Sequence, residues 1–271
     1  MLPHPLNTTA SRQLPSRIIM EEFFQRIKTE SCAFLSMNWD TVVEELVEDK
    51  QKINNIEYGC SAVAAKFRGA KIIELESNLL STKYITVLKP HGSINWMYCD
   101  ICSRLYWFPA SDTLKISSRL FKARDRAVVK RITRKECPKP SEPGSCPRFE
   151  GRGLGTRFAT FSYRKALEFP MHHATWAYAE ELLQKAKTWI FVGYSLPPAD
   201  YQFKYLLKRV QLSRARNSPE ILVVTKEPPG AQTIENYKRF FGFTSVPDSN
   251  TLTGGMDGDA LKKLESVGAL R

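Results

Sequence analysis

Apolar positions along this chain switch between helical and strand spacing, and the changes of period mark out its elements. Ile19, Phe23 and Ile27 share one helical face and predict a first helix. The run "CAFLSM" (Cys32 to Met37) predicts a short buried strand, with Asn38, Trp39 and Asp40 just past its end. Thr41-x-x-Glu44 has the form of a capping box, so a helix is expected next, with Val42, Val43, Leu46 and Val47 on its core face. "YITVLK" (Tyr84 to Lys89) predicts a second strand, closed by His91-Gly92 and by Pro90, which lacks the N–H that a ladder needs. Residues 95–157 are rich in Cys, Pro, Gly and basic groups with little sustained period, and read as an inserted small module.

Regular spacing returns with a helix carrying Trp176, Ala179, Leu183 and Ala186 on one stripe, then the strand Thr188 to Val192. Gly193 to Pro197 predict a turn, Pro198 suits the first turn of a helix, and Phe203, Leu206, Leu207 and Val210 supply that helix's buried face. A further strand, Glu220 to Thr225, precedes a helix with Ile234, Tyr237 and Phe241, and Val246 to Met256 reads as a polar loop. Strands alternating with helices predict an α/β fold with a parallel sheet covered on both faces. In such sheets ligands bind outside the carboxyl ends of the strands. The candidate contacts there are Asn38 with Asp40, His91, Gly193 with Ser195, and Thr225. Two bland readings compete: Asp40 caps the following helix, and His91 is satisfied by backbone carbonyls. His172 and His173 open a helix and receive no role.

Composition narrows the class. With 42% hydrophobic residues in 271, the chain can bury a core as one large domain or two small ones. No apolar run approaches the roughly 18 to 20 residues of a membrane span, and the start "MLPHPLNTTASRQLPSR" lacks the apolar region of a signal peptide, so the expected location is cytoplasmic with no membrane partner. In a reducing compartment paired cysteines read first as metal ligands. Cys99-x-x-Cys102 and Cys137-x8-Cys146 together offer four thiolates for a structural zinc with no open position. The x8 spacing is wider than usual, and a decayed site is the alternative. Cys32 and Cys60 stand alone as core residues. The net charge of +12 is uneven, since Lys115 to Lys139 hold ten Lys or Arg against Asp125 and Glu136. That stretch is a solvated face or a site for nucleic acid or an acidic partner.

Three segments, "SMNWDTVVEELV", "KPHGSINWMYCDIC" and "KTWIFVGYSLPPADYQFKYLLK", together resemble the sirtuin-like family of the silent information regulator type, in its prokaryotic defence-associated branch. The resemblance spans roughly Cys32 to Thr225. It implies a Rossmann-type NAD-binding sheet with a small zinc-binding insertion, and NAD+ as a substrate whose nicotinamide glycosidic bond is broken. By that resemblance Asn38 would orient the nicotinamide ribose or an attacking water, Asp40 would shape the nicotinamide pocket, and His91 would be the general base. Gly193 would admit the cofactor closely, Ser195 would meet the adenosine ribose, and Thr225 would stand where family members often carry Asn. The family's glycine-rich pyrophosphate turn has no counterpart here: there is no glycine upstream of Cys32, and "GRGLGT" (Gly151 to Thr156) reads as a return loop. The expectation is therefore a single sirtuin-like domain over 1–271, N-terminally truncated, with its insertion at 95–157. Three functions follow: NAD+ hydrolysis in anti-phage defence, NAD-dependent protein-lysine deacylation, or a truncated, non-catalytic or basic binding module.

Overall fold

The run Ile85–Leu88 forms the strand its β-branched residues predict, β5, buried along its whole length. In the computed structural model, which describes residues 15–68, 71–76, 80–99, 104–112, 154–155, 169–214, 217–228 and 231–271, β5 is the centre of a three-stranded parallel sheet. Its neighbours are β1 (Ala33–Leu35) and β2 (Ile56–Glu57). A second parallel sheet has β10 (Glu220–Val224) between β9 (Thr188–Val192) and β11 (Thr251–Leu252). The predicted parallel strands thus fall into two three-stranded sheets rather than one, and the β1 run expected to be buried is an edge strand whose residues are half-buried or exposed.

Side-chain alternation divides both sheets between the same two cores. Ile85 and Val87 of β5 share a core with Leu222 of β10, and Ile190 of β9 packs against it. The opposite residues, Leu88, Trp189, Phe191, Ile221 and Val223, belong to the other core, against which Leu35 packs. Period-2 pleating makes this division possible. Helices cover both faces, as expected. The first core receives Phe23 and Phe24 of α1 (Pro15–Arg26), Val47 of α2 (Val42–Gln51), and Leu261 and Leu264 of the last helix, Gly258–Ser266. The second receives Ala179 of α3 (Pro170–Lys185), the predicted Phe203, Leu206, Leu207 and Val210 of α4 (Tyr201–Ser213), and Tyr237 and Phe241 of α5 (Gln232–Phe241). The last helix, α6, was not legible in the polar-to-apolar pattern. Neither was β11, which lies within the stretch read as a loop.

A third, mixed sheet has the order β4-β3-β7-β6-β8. Here β3 (Ala62–Arg68) and β4 (Lys71–Glu74) join β6 (Trp96–Cys99), β7 (Arg104–Trp107) and β8 (Leu154–Gly155). Regular structure therefore exists where little period was visible, and Leu154–Gly155 of the expected return loop pairs with β6. The strands within 95–157 find a partner outside it, at Ala62 to Ala64. Trp96, Tyr98, Leu105 and Trp107 enter the same core as α1 and α2.

Candidate active site

The loop after β1 is held against the turn after β5. Ser36 N donates to Leu88 O at 2.9 Å, and Ile94 N donates to Trp39 O at 2.8 Å. Within this clasp Asn38 is exposed and Asp40 half-buried. Asp40 Oδ1 accepts from Val42 N at 3.2 Å, so the carboxylate does serve the start of α2. The expected capping box is not formed. Thr41 Oγ1 donates instead to Glu45 Oε1 at 2.9 Å, and Glu44 turns inward and is buried, while Val42, placed on the core face from sequence, is exposed.

His91 is only 5% exposed. Its Nε2 lies 3.6 Å from Asp200 Oδ1, and its ring meets Trp176 edge to face at 5.9 Å. Asp200, also buried, accepts from Tyr194 OH at 2.6 Å through its other oxygen, and Tyr237 OH donates to Tyr194 O at 2.7 Å. Burial first, and then the neighbouring carboxylate, push the Tyr194 phenol well above its usual range, so it stays protonated as a donor. A buried imidazole facing a carboxylate fixed in this way is held in one orientation.

The segment after β9 is open. Gly193 is exposed with φ +63°, and nothing lies within 4 Å of where a Cβ would stand, so the backbone admits close approach. Gly193 N donates to Val224 O at 2.9 Å, which ties the end of β9 to β10. Ser195 is exposed, and Leu196 beside it holds a left-handed φ of 54° while almost fully buried. Helix α4 begins at Tyr201, three residues beyond Pro198. Thr225 is buried at the end of β10, its N–H given to Leu252 O and its carbonyl accepting from Gly255 N.

Lys89, Glu44, Asp200, Tyr194 and His172 were missed from sequence. Asp200 ends the quoted "VGYSLPPAD" just before a helix, where an Asp reads as an N-cap; its side chain makes no cap bond and faces His91 instead. His172 is a core histidine rather than helix-start polarity, 1% exposed and 4.7 Å from the Phe169 ring. Burial first, then the nearby His91, lower its pKa to about 4. Cys99 ends β6 opposite Arg104, and Cys102, Cys137, Cys146 and the basic stretch Lys115 to Lys139 lie outside the described residues. Among the described residues no group of three or more His, Cys, Asp or Glu could hold a metal, and no helix is long and apolar enough to cross a membrane. Cys32 and Cys60 are free thiols packed against the first core, and burial raises Cys60 to about 11.

No family model matches the chain, and no curated protein matches it. Among solved structures it is similar to "Structural Basis for the Mechanism and Regulation of Sir2 Enzymes", at 19% identity and a TM-score of 0.33 over 68% of this chain and 57% of that one. It is also similar to "Sir2-p53 peptide-NAD+", at 17% and 0.26 over 68% and 57%, and to "The Structural basis for Sirtuin Substrate affinity", at 18% and 0.24 over 68% and 58%. All three are sirtuin structures. They belong to the family that the motifs resemble, and this chain spans under two thirds of their length.

Proposed function

We propose that this chain is a sirtuin-like NAD+-binding domain that hydrolyses the nicotinamide N-glycosidic bond of NAD+, in the manner of a defence-associated hydrolase. The observation that supports this most is the buried His91–Asp200 pair, 3.6 Å apart, with His91 and the exposed Asn38 following the ends of the adjacent parallel strands β5 and β1. In the proposed reaction the bond from ribose C1′ to the nicotinamide nitrogen breaks, and its electron pair leaves with nicotinamide. Positive charge develops at C1′, as in glycoside hydrolysis. Water oriented by Asn38 adds to C1′ and gives its proton to His91, whose imidazolium is held by Asp200 until solvent takes the proton. The products are nicotinamide, ADP-ribose and a proton. Asp40 would border the nicotinamide ring, Gly193 and Ser195 the adenosine side, and Thr225 the far end.

A structural zinc on Cys99, Cys102, Cys137 and Cys146 belongs to the same reading. Its support is the Cys99-x-x-Cys102 spacing, which can supply two ligands to one metal, with Cys99 at the end of β6. Metal analysis is expected to give one zinc per chain, and well under one rejects the site.

The reaction is tested by incubating the purified chain with NAD+ and following nicotinamide. Release that disappears in His91→Ala is expected. Release only when an acylated lysine peptide is added assigns deacylation instead, and none above the His91→Ala control in either case leaves a non-catalytic module.

A further inference from the structure

We infer that Lys89 is a positioning residue that sets the loop carrying Asn38 and Asp40, with Glu44 as its buried counter-charge. The catalytic consequence rests on the reaction proposed above; the geometry does not. Lysine is almost never fully buried unless it is paired, yet Lys89 is 0% exposed. Its Nζ donates to Asn38 O at 3.3 Å, to Ser36 Oγ at 3.4 Å and to Asp40 O, and lies 3.5 Å from Glu44 Oε1. The carbonyl between those two, Trp39 O, accepts from Ile94 N at 2.8 Å and from Ser93 Oγ at 3.4 Å. Three consecutive carbonyls of the loop are therefore pinned by residues 89–94. That same segment carries His91, so it fixes the backbone of Asn38 relative to the segment of the proposed base.

The counter-charge is itself supported. Glu44 Oε1 accepts from Tyr58 OH at 3.3 Å, and Asn95 Nδ2 donates both to Tyr58 OH at 3.1 Å and to Phe108 O at 2.8 Å. The clasp thereby extends to the end of β7. A buried ion pair kept for stability alone is a weak device, because well-packed apolar residues often replace one at no loss. Positioning and stability therefore make opposite forecasts for such a replacement.

The full-length chain is compared as wild type, Lys89→Met, Lys89→Met with Glu44→Met, and Glu44→Gln. Melting temperature, backbone hydrogen exchange over Trp39 to Thr41 without NAD+, and NAD+ turnover are measured on each. Lys89→Met alone strands the Glu44 carboxylate and is expected to lose stability. The double apolar variant is expected to regain the wild-type melting temperature while its loop amides exchange at least about tenfold faster and kcat falls about a hundredfold, the scale of an ångström-level misplacement. Glu44→Gln keeps the Lys89–carbonyl contacts and is expected to leave exchange and kcat within about threefold of wild type. A folded double variant with wild-type exchange and kcat overturns the inference, as does a tenfold loss of kcat in Glu44→Gln. If the wild type releases no nicotinamide, the NAD+ reading fails, and the exchange rates alone decide the role of Lys89.

Discussion

The segments after β5 and after β9 form the two walls of the candidate site, and they are built in opposite ways. After β5, Lys89, His91, Ser93 and Asn95 are all buried polar groups. Buried polar groups must find partners inside the fold, so the shape of this wall is set by its hydrogen-bond network. After β9, Val192, Gly193 and Ser195 are exposed, and the turn keeps its shape through the burial of Leu196 and the bond from Tyr237 to Tyr194 O. The first wall suits proton transfer, where geometry must not drift; the second leaves backbone open for a ligand to approach. The two walls meet in a seam where His91 faces Asp200, one residue from each.

Breaking the comparison at its centre should have the largest effect. His91→Ala is expected to lower NAD+ turnover by about 10² to 10⁴, the range of general-base help, with unchanged circular dichroism. Asp200→Asn keeps the shape of the seam but removes its charge. It is expected to cost about tenfold to a hundredfold in kcat, and wild-type kcat in this variant would show that the seam takes no part in the proton transfer.

The third test concerns pH and the histidine of α3 that lies near the first wall's His91. His172 has a folded pKa of about 4 against an ordinary 6.5, so above 6.5 both folded and unfolded chains hold it neutral. As pH falls from about 6.5 towards about 4, the unfolded chain takes up the proton and the folded one does not, so stability is lost across that window by up to roughly 3 kcal/mol. Urea unfolding at a series of pH values measures this, and His172→Phe should flatten the curve. The smallest effect belongs to the open wall. Gly193→Ala meets no atom within 4 Å, so its cost is the left-handed backbone alone, about 1 kcal/mol, seen as a lower melting temperature. A drop much above that would show that the second wall is as tightly packed as the first.

Much of this arrangement was legible before folding was considered. Alternation and helical spacing placed β5, β9, β10 and the buried face of α4, and strand-end logic placed Asn38, His91 and Gly193 where they stand. The pairing of β3 with β7 was not legible, because it joins distant segments: Ala62 to Ala64 pair with Leu105 to Trp107. The capping reading of Asp40 was legible and Asp40 does serve α2, but spacing could not reveal that Glu44 leaves the expected capping box for the interior.

The sequence by itself determined the period of each element, and hence which of its faces is apolar and which residues follow each strand. Only the tertiary structure decided which charges are buried and whom they meet: Lys89 with the carbonyls of the 38–40 loop, and Asp200 with His91. The physical reason is that periodicity is a local property of the backbone repeat. The fate of a charged group depends instead on desolvation and partners supplied by segments far away in the chain.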